Sequence, residues 1–214
     1  MIITKRFVFV HMPKTGGTWL REVLKRYKHP LWHLKERPGH ETSAEAPPGL
    51  TTLGTVRNPW DWYVSWYFFR CREYQDRTGL FAPDRPREGW VDLMNRWKEH
   101  VAQPDVRTRE GFLRALPRLM DGSLTESYTK THTQFFERGR PVQLARFEHL
   151  GADVTAFLKE NRIPNKLKLR TALRTAPRKN TSRHGPYRDY YDEEARDLVA
   201  SADRAIIERY GYEF

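Results

Sequence analysis

Only one cysteine, Cys71, occurs among the 214 residues of this chain. One thiol cannot build an intrachain disulfide framework, and such scarcity fits a reducing cytosol. Long apolar runs are missing as well; nothing approaches the ~18 consecutive apolar residues of a membrane span. The N-terminus leads straight into strand-like sequence, without the charged and then apolar pattern of a secretory signal. The expected location is therefore cytoplasmic, with no membrane partner. Eight histidines and the single cysteine show no spacing of the H-E-x-x-H or C-x-x-C kind, so no catalytic metal is expected. No internal repeat, low-complexity tract, recognition helix, zinc finger or RNP motif is found, and nucleic acid is not an expected partner.

What is present suits a folded enzyme. Hydrophobic residues make up 38% and aromatics 13%, with seven Trp, which supports a packed core and argues against a disordered chain. This length fits one α/β domain able to bury about 70% of its unfolded surface. Charged residues at 30% bring the mean hydropathy to −0.81. The net charge of +11 and pI near 9.9 fit nucleic acid, an acidic polymer or a membrane surface alike, so charge alone does not choose among them.

The densest local signal lies in the first twenty residues. Phe7-Val8-Phe9-Val10 is an apolar, β-branched and aromatic run that reads as a buried strand. Pro13 stops it, Lys14-Thr15-Gly16-Gly17-Thr18 makes a turn, and Trp19, Leu20, Val23, Leu24 and Tyr27 follow along one helical face. Glycines let backbone N–H groups approach an anion, and a helix start offers unpaired donors and a partial positive charge. Lys14 adds a full charge, and Thr15 and Thr18 add hydroxyls. The pattern is a grip for phosphate. It is not a Walker P-loop, in which the Lys follows the last glycine. Here Lys14 precedes Gly16 and Gly17, and no apolar strand ending in Asp follows to hold Mg²⁺.

A second strand, residues 50–56, runs into Arg57-Asn58-Pro59-Trp60-Asp61. Asn58 suits an N-cap, Pro59 the first helical position, and Asp61 the first turn. Trp60, Tyr63, Val64, Tyr67, Phe68 and Cys71 keep helical spacing. Arg57 thus ends a strand, and Ser65 lies about two turns along the next helix, off its apolar stripe. Arg makes bidentate, charge-assisted contacts with phosphate, and Ser can add a hydroxyl. Strand ends bearing anion-binding groups at one sheet edge are where open α/β folds bind nucleotides.

Pro13-Lys14-Thr15-Gly16-Gly17-Thr18 resembles the 5′-phosphosulfate loop of sulfotransferases that use 3′-phosphoadenosine 5′-phosphosulfate (PAPS). Val56-Arg57-Asn58-Pro59, with Ser65 eight residues after the Arg, resembles their 3′-phosphate site. The basic loop from Arg178 and Lys179 to His184, and the aromatic ending Tyr210-Gly211-Tyr212-Glu213-Phe214, are softer matches. The resemblance covers residues 5–27, 50–72 and 175–214, and points to a soluble bacterial-type member. It implies one sulfotransferase domain over 1–214, with a P-loop-like three-layer α/β fold: a central parallel sheet, helices on both faces and a helical insertion. It also implies a cofactor-binding set of Lys14, Thr15, Gly16, Gly17, Thr18, Trp19, Arg57, Ser65 and Arg178.

The expected order is β-α-β-α, a helical insertion at 75–140, then β-α and a closing helix. Residues 28–49 form an irregular, Pro-rich link. The 75–140 stretch is read as the acceptor cleft or a lid, and 175–189 as a loop that covers the cofactor. Residues 142–147 alternate like a strand, and Leu150, Val154, Phe157 and Leu158 mark the helix after it. Asp192 is the expected N-cap of the last helix, with Ala195, Leu198, Val199, Ala202, Ile206 and Tyr210 on its inner face.

The implied reaction is in-line transfer of sulfonate from PAPS to an acceptor hydroxyl or amine, with 3′,5′-bisphosphoadenosine leaving and no metal. Catalysis of this kind is mostly positioning and charge stabilisation. Lys14 is expected to counter charge on the leaving oxygen. His40, in Pro38-Gly39-His40-Glu41, is the expected general base; its Gly-His pair resembles that of glycan O-sulfotransferases. Glu36 and Glu41 are fallbacks. His11 is expected to prop the turn, and His132 is a further histidine for the acceptor side. The acceptor is a small molecule or carbohydrate, anionic ones included, and the surplus positive charge points to such an acceptor or to solubility. Nothing in the sequence sets an oligomeric state. Two rival readings are a Mg²⁺-dependent P-loop kinase and a non-catalytic basic anion-binding protein.

Overall fold

The computed structural model describes residues 1–37, 41–76, 90–177 and 184–214, and within them all side chains except those of 73–76 and 90–94. In chain order the elements are β1 (Ile2–Ile3), β2 (Phe7–Phe9), α1 (Gly17–Arg26), β3 (Lys35–Glu36), β4 (Thr51–Val56), α2 (Pro59–Asp76), α3 (Trp90–Val101), α4 (Arg109–Met120), α5 (Tyr128–Phe136), β5 (Val142–Arg146), α6 (Leu150–Glu160), α7 (Leu167–Thr175), α8 (Glu193–Ala202) and α9 (Arg204–Tyr210). Among the described residues this is an α/β protein of nine helices and a five-stranded sheet in the order β3-β1-β2-β4-β5.

The sheet is mixed, which corrects the expected parallel one. β2, β4 and β5 run parallel, with Val8 opposite Thr52 and Leu53 opposite Gln143, whereas β1 lies antiparallel to both β2 and β3. A tight reversal is responsible. The buried Thr4 hydroxyl accepts from Arg6 N and Phe7 N and donates to Phe7 O, folding Ile2 back against Phe9. Strands of two residues are too short to show a period in sequence.

The chain divides into two compact units, Met1–Arg57 with Thr131–Thr181, and Asn58–Lys130 with Ser182–Phe214. In the first, Phe7, Phe9, Leu53 and Ala145 project from one sheet face into a core shared with α1 (Leu20, Leu24), α6 (Val154, Phe157) and α7 (Leu169, Leu173). Trp32 closes its edge, with its indole N–H on Pro164 O at 2.8 Å and its ring edge-on to Phe7 at 5.1 Å. On the opposite face Phe136 of α5 packs over Gly54, where an added Cβ would fall 2.6 Å from its ring. Helices thus cover both faces of this sheet.

The second unit is helical and rich in aromatics. Asn58 caps α2 as expected, its Oδ1 accepting from Trp60 N at 3.0 Å. From Trp62 to Phe68 this helix is buried all round, so the polar stripe expected for Ser65 does not exist; Ser65 is 2% exposed. A helix apolar on every side needs partners on every side, and α3, α4 and α8 all pack against it. Burial pushes the Cys71 thiol up to about 12, which makes it inert as a nucleophile. Asp192 caps the closing segment as expected, accepting from Ala195 N at 2.8 Å. The helix then breaks at Asp203 into α8 and α9, so the inner face is Ala195, Val199, Asp203 and Ile206, while Leu198 and Ala202 face outward. Among the described residues no helix is long and apolar enough to cross a membrane.

Candidate anion-binding site

β2 and β4 are adjacent and parallel, so the chain leaves both at the same sheet edge. Ligands of open α/β sheets gather outside such carboxyl ends. Val10 N still bonds Leu53 O at 2.9 Å; beyond it the chain turns and enters α1 at Gly17. Lys14 (φ 64°) and Gly16 (φ 81°) both take the left-handed conformation. Glycine does so freely, whereas for lysine it costs on the order of 1–2 kcal/mol.

Two bonds from the neighbouring strand hold that shape. Arg57 Nη1 donates to the Lys14 carbonyl at 3.0 Å. The fully buried Thr15 hydroxyl donates to Met12 O at 2.7 Å and accepts from Thr55 Oγ1 at 2.6 Å. That hydroxyl is therefore engaged inside the fold, which corrects the expectation of a hydroxyl donor here; the share of Thr15 in anion binding falls to its main chain. Both glycines are required by packing. A Cβ on Gly16 would lie 2.8 Å from Phe147 Cδ2 and 2.9 Å from Leu150 Cδ2, and one on Gly17 would run into the His11 ring. His11, stacked on Phe9, props the turn as expected.

The start of α1 supplies the donors. Its N-cap, Gly16, has no side chain to cap with, and the first intrahelical bond is Leu20 N to Gly16 O at 3.1 Å. The amides of Gly17, Thr18 and Trp19 thus have no partner within the helix. The Trp19 side chain belongs to the core, so only its amide faces this role.

Phe147 was not foreseen from the sequence. Its ring lies 4.2 Å from the Arg57 guanidinium carbon and against Gly16. One aromatic ring therefore lies against both the arginine and the glycine turn. The available signal is positional: Phe147 follows the third parallel strand, at the same edge that Lys14 and Arg57 occupy.

Compared with known proteins, the chain matches no family model and no curated protein.

The structure brings Lys14, Thr15, Gly16, Gly17, Thr18, Trp19 and Arg57 together in the first unit. Ser65 is in the second unit, on α2. His40 and Arg178, with Lys179, lie outside the described residues. Glu36 is engaged elsewhere: Lys25 hydrogen-bonds it and Arg21 stands 3.3 Å away. The Lys25 bond, foremost, holds its carboxyl below the usual range. This removes Glu36 as a fallback base. Glu41 lies 3.8 Å from Arg37. His132 is fully buried, its Nδ1 3.3 Å from Glu137 Oε1 and its ring edge-on to Phe136. Among the described residues no cluster of His, Cys, Asp or Glu could hold a metal ion.

Proposed function

We propose that this chain is a PAPS-dependent sulfotransferase, built on a P-loop-like turn and acting on an acceptor hydroxyl or amine. The observation that carries the reading is the Arg57–Lys14 contact. It sets a guanidinium, the natural partner of a phosphate, beside a glycine turn whose helix start offers main-chain donors. The donor supplies the electrophilic sulfur and its own leaving phosphate. Amides at the start of α1 hold the 5′-phosphate still, and Lys14 offers a cation where charge builds on the leaving oxygen. Arg57 serves the 3′-phosphate, with Phe147 stacked on it; Ser65 and Arg178 join it on the motif alone. His40 takes the proton of the acceptor.

Calorimetry in metal-free buffer tests this. The expected result is a preference for 3′,5′-bisphosphoadenosine over AMP and ATP that disappears in Arg57→Ala. Equal affinity for AMP, or tight ATP binding that needs Mg²⁺, overturns the proposal in favour of a different nucleotide chemistry.

A further inference from the structure

The closing residues of the sequence are built into the start of α2. Asn58 uses both ends of its side-chain amide there. Its Oδ1 caps the helix, accepting from Trp60 N at 3.0 Å, and its Nδ2 donates to Glu213 O at 2.8 Å. Capping needs only the oxygen, and serine caps about as well; the bond to Glu213 is a further tie that the amide makes possible. Phe214, one residue on, sets its ring edge-on to Trp60, Tyr187 and Tyr191, with centroids 5.7, 5.8 and 5.6 Å away. Edge-to-face rings attract beyond the apolar area they bury. Arg188 Nη2 donates to Phe214 O at 2.7 Å, and the Tyr191 hydroxyl donates to Trp60 O at 2.9 Å. Glu213 and Phe214 thus grip the first turn of α2 by main chain and by ring, all within the unit of Asn58–Lys130 and Ser182–Phe214.

This grip lies next in sequence to the phosphate-directed arginine. β4 ends at Val56 and α2 begins at Pro59, so Arg57 and Asn58 are the whole link between them. Val56, buried and paired with Arg146 in the sheet, fixes one side of that link. Asn58, also buried, fixes the other. An arginine grips phosphate in two places only when its guanidinium is held at the right angle, and freedom that must be lost on binding weakens affinity. The side chain of Arg57 is steadied by the Lys14 carbonyl and the Phe147 ring. Its main chain depends on the strand before it and, through Asn58, on the closing residues.

We infer that Glu213, through its carbonyl, and Phe214, through its ring, are positioning residues for Arg57. They fix Asn58 and the first turn of α2, and so set the main chain from which the guanidinium reaches a phosphate. This rests on the proposed function, in which Arg57 serves the 3′-phosphate.

The test is calorimetry with 3′,5′-bisphosphoadenosine and with AMP. Phe214→Ala and Asn58→Ser should each lower the ratio of the two affinities by about tenfold, the scale of one charge-assisted bond, and Phe214→Tyr should keep the parent ratio. Asn58→Ser retains a cap, so it reports the Glu213 bond even if Phe214→Ala does not fold. Leu119→Ala opens a cavity at a fully buried position of α4 in the same unit and should leave the ratio unchanged. A parent-like ratio in both Phe214→Ala and Asn58→Ser, or an equal fall in Leu119→Ala, overturns the assignment. Hydrogen exchange without nucleotide supplies the independent arm. The amides of Trp60 and Trp62, which bond Asn58 Oδ1 and O, should exchange faster in Phe214→Ala and not in Leu119→Ala. If the parent shows no preference for the bisphosphate, it is the proposed function that falls; parent-like exchange in Phe214→Ala overturns the positioning role by itself.

Discussion

In the unit of Met1–Arg57 and Thr131–Thr181, buried polar side chains shape main chain at a sheet edge. Thr15 and Thr55 bond each other, Arg57 holds the Lys14 carbonyl, and the first amides of α1 have no partner within the helix. In the unit of Asn58–Lys130 and Ser182–Phe214, the polar groups of Tyr67, His100, Thr129 and Asp203 bond one another or the main chain inside the fold. The Tyr67 hydroxyl donates to Val106 O at 2.5 Å and so accepts from His100 Nε2 at 2.9 Å. Asp203, fully buried, accepts from both Thr129 N and Thr129 Oγ1 at 2.9 and 2.6 Å. The difference teaches where chemistry can happen: a closed network rigidifies, whereas a turn whose side chains point inward leaves donors for a ligand.

Lys14→Ala gives the largest expected effect. Turnover should fall by about 10²–10³-fold, the scale for removing one charge-stabilising group, while the melting temperature stays close to the parent value. A matching loss of stability would mean that Lys14 serves the fold. Asp203→Ala attacks the inward bonding of the second unit instead. It leaves two half-buried donors on Thr129 without their acceptor and should cost about 1–3 kcal/mol by urea titration. A cost under about 1 kcal/mol would show that the network is not what holds its unit together.

The third expectation is a pH dependence. Burial foremost, then Arg118 and Arg114, push His100 down to about 4 from an ordinary 6.5. Between those values the unfolded chain holds a proton that the folded one refuses, so stability falls as pH drops through this window. The loss is up to ~3 kcal/mol, and His100→Gln should flatten it in denaturation curves taken across that range. Phe147→Leu is the smallest and sharpest change. It keeps apolar contact with Gly16 but removes the ring face under Arg57, and should weaken bisphosphoadenosine binding by about 1 kcal/mol. Phe147→Tyr should restore it. Failure of that rescue would assign Phe147 to packing alone.

How much was legible follows from how local each feature is. The strand of Phe7 to Phe9, the glycine turn, the Asn58 cap and the strand and helix around Ala145 and Val154 are contiguous patterns, and all stand where the sequence places them. The antiparallel β1 and β3 are two residues each and rest on the bonding of Thr4 rather than on periodicity. Asp203 interrupts an apolar spacing that reads as one helix, and its Oδ1 is held by Thr129, 74 residues away. Phe147 reads as the end of a strand, and only the adjacency of three strand ends turns it into a neighbour of Arg57.

By itself the sequence determined the two strand exits, the glycine turn after one and Arg57 after the other, because turn chemistry and helix capping act over a few neighbouring positions. Only the tertiary structure decided that the Thr15 hydroxyl faces inward, that Ser65 is buried on every side, and that Arg57 lies between the Lys14 carbonyl and the Phe147 ring. Those outcomes depend on which strands lie side by side and what fills the space between them, and no local pattern carries that information.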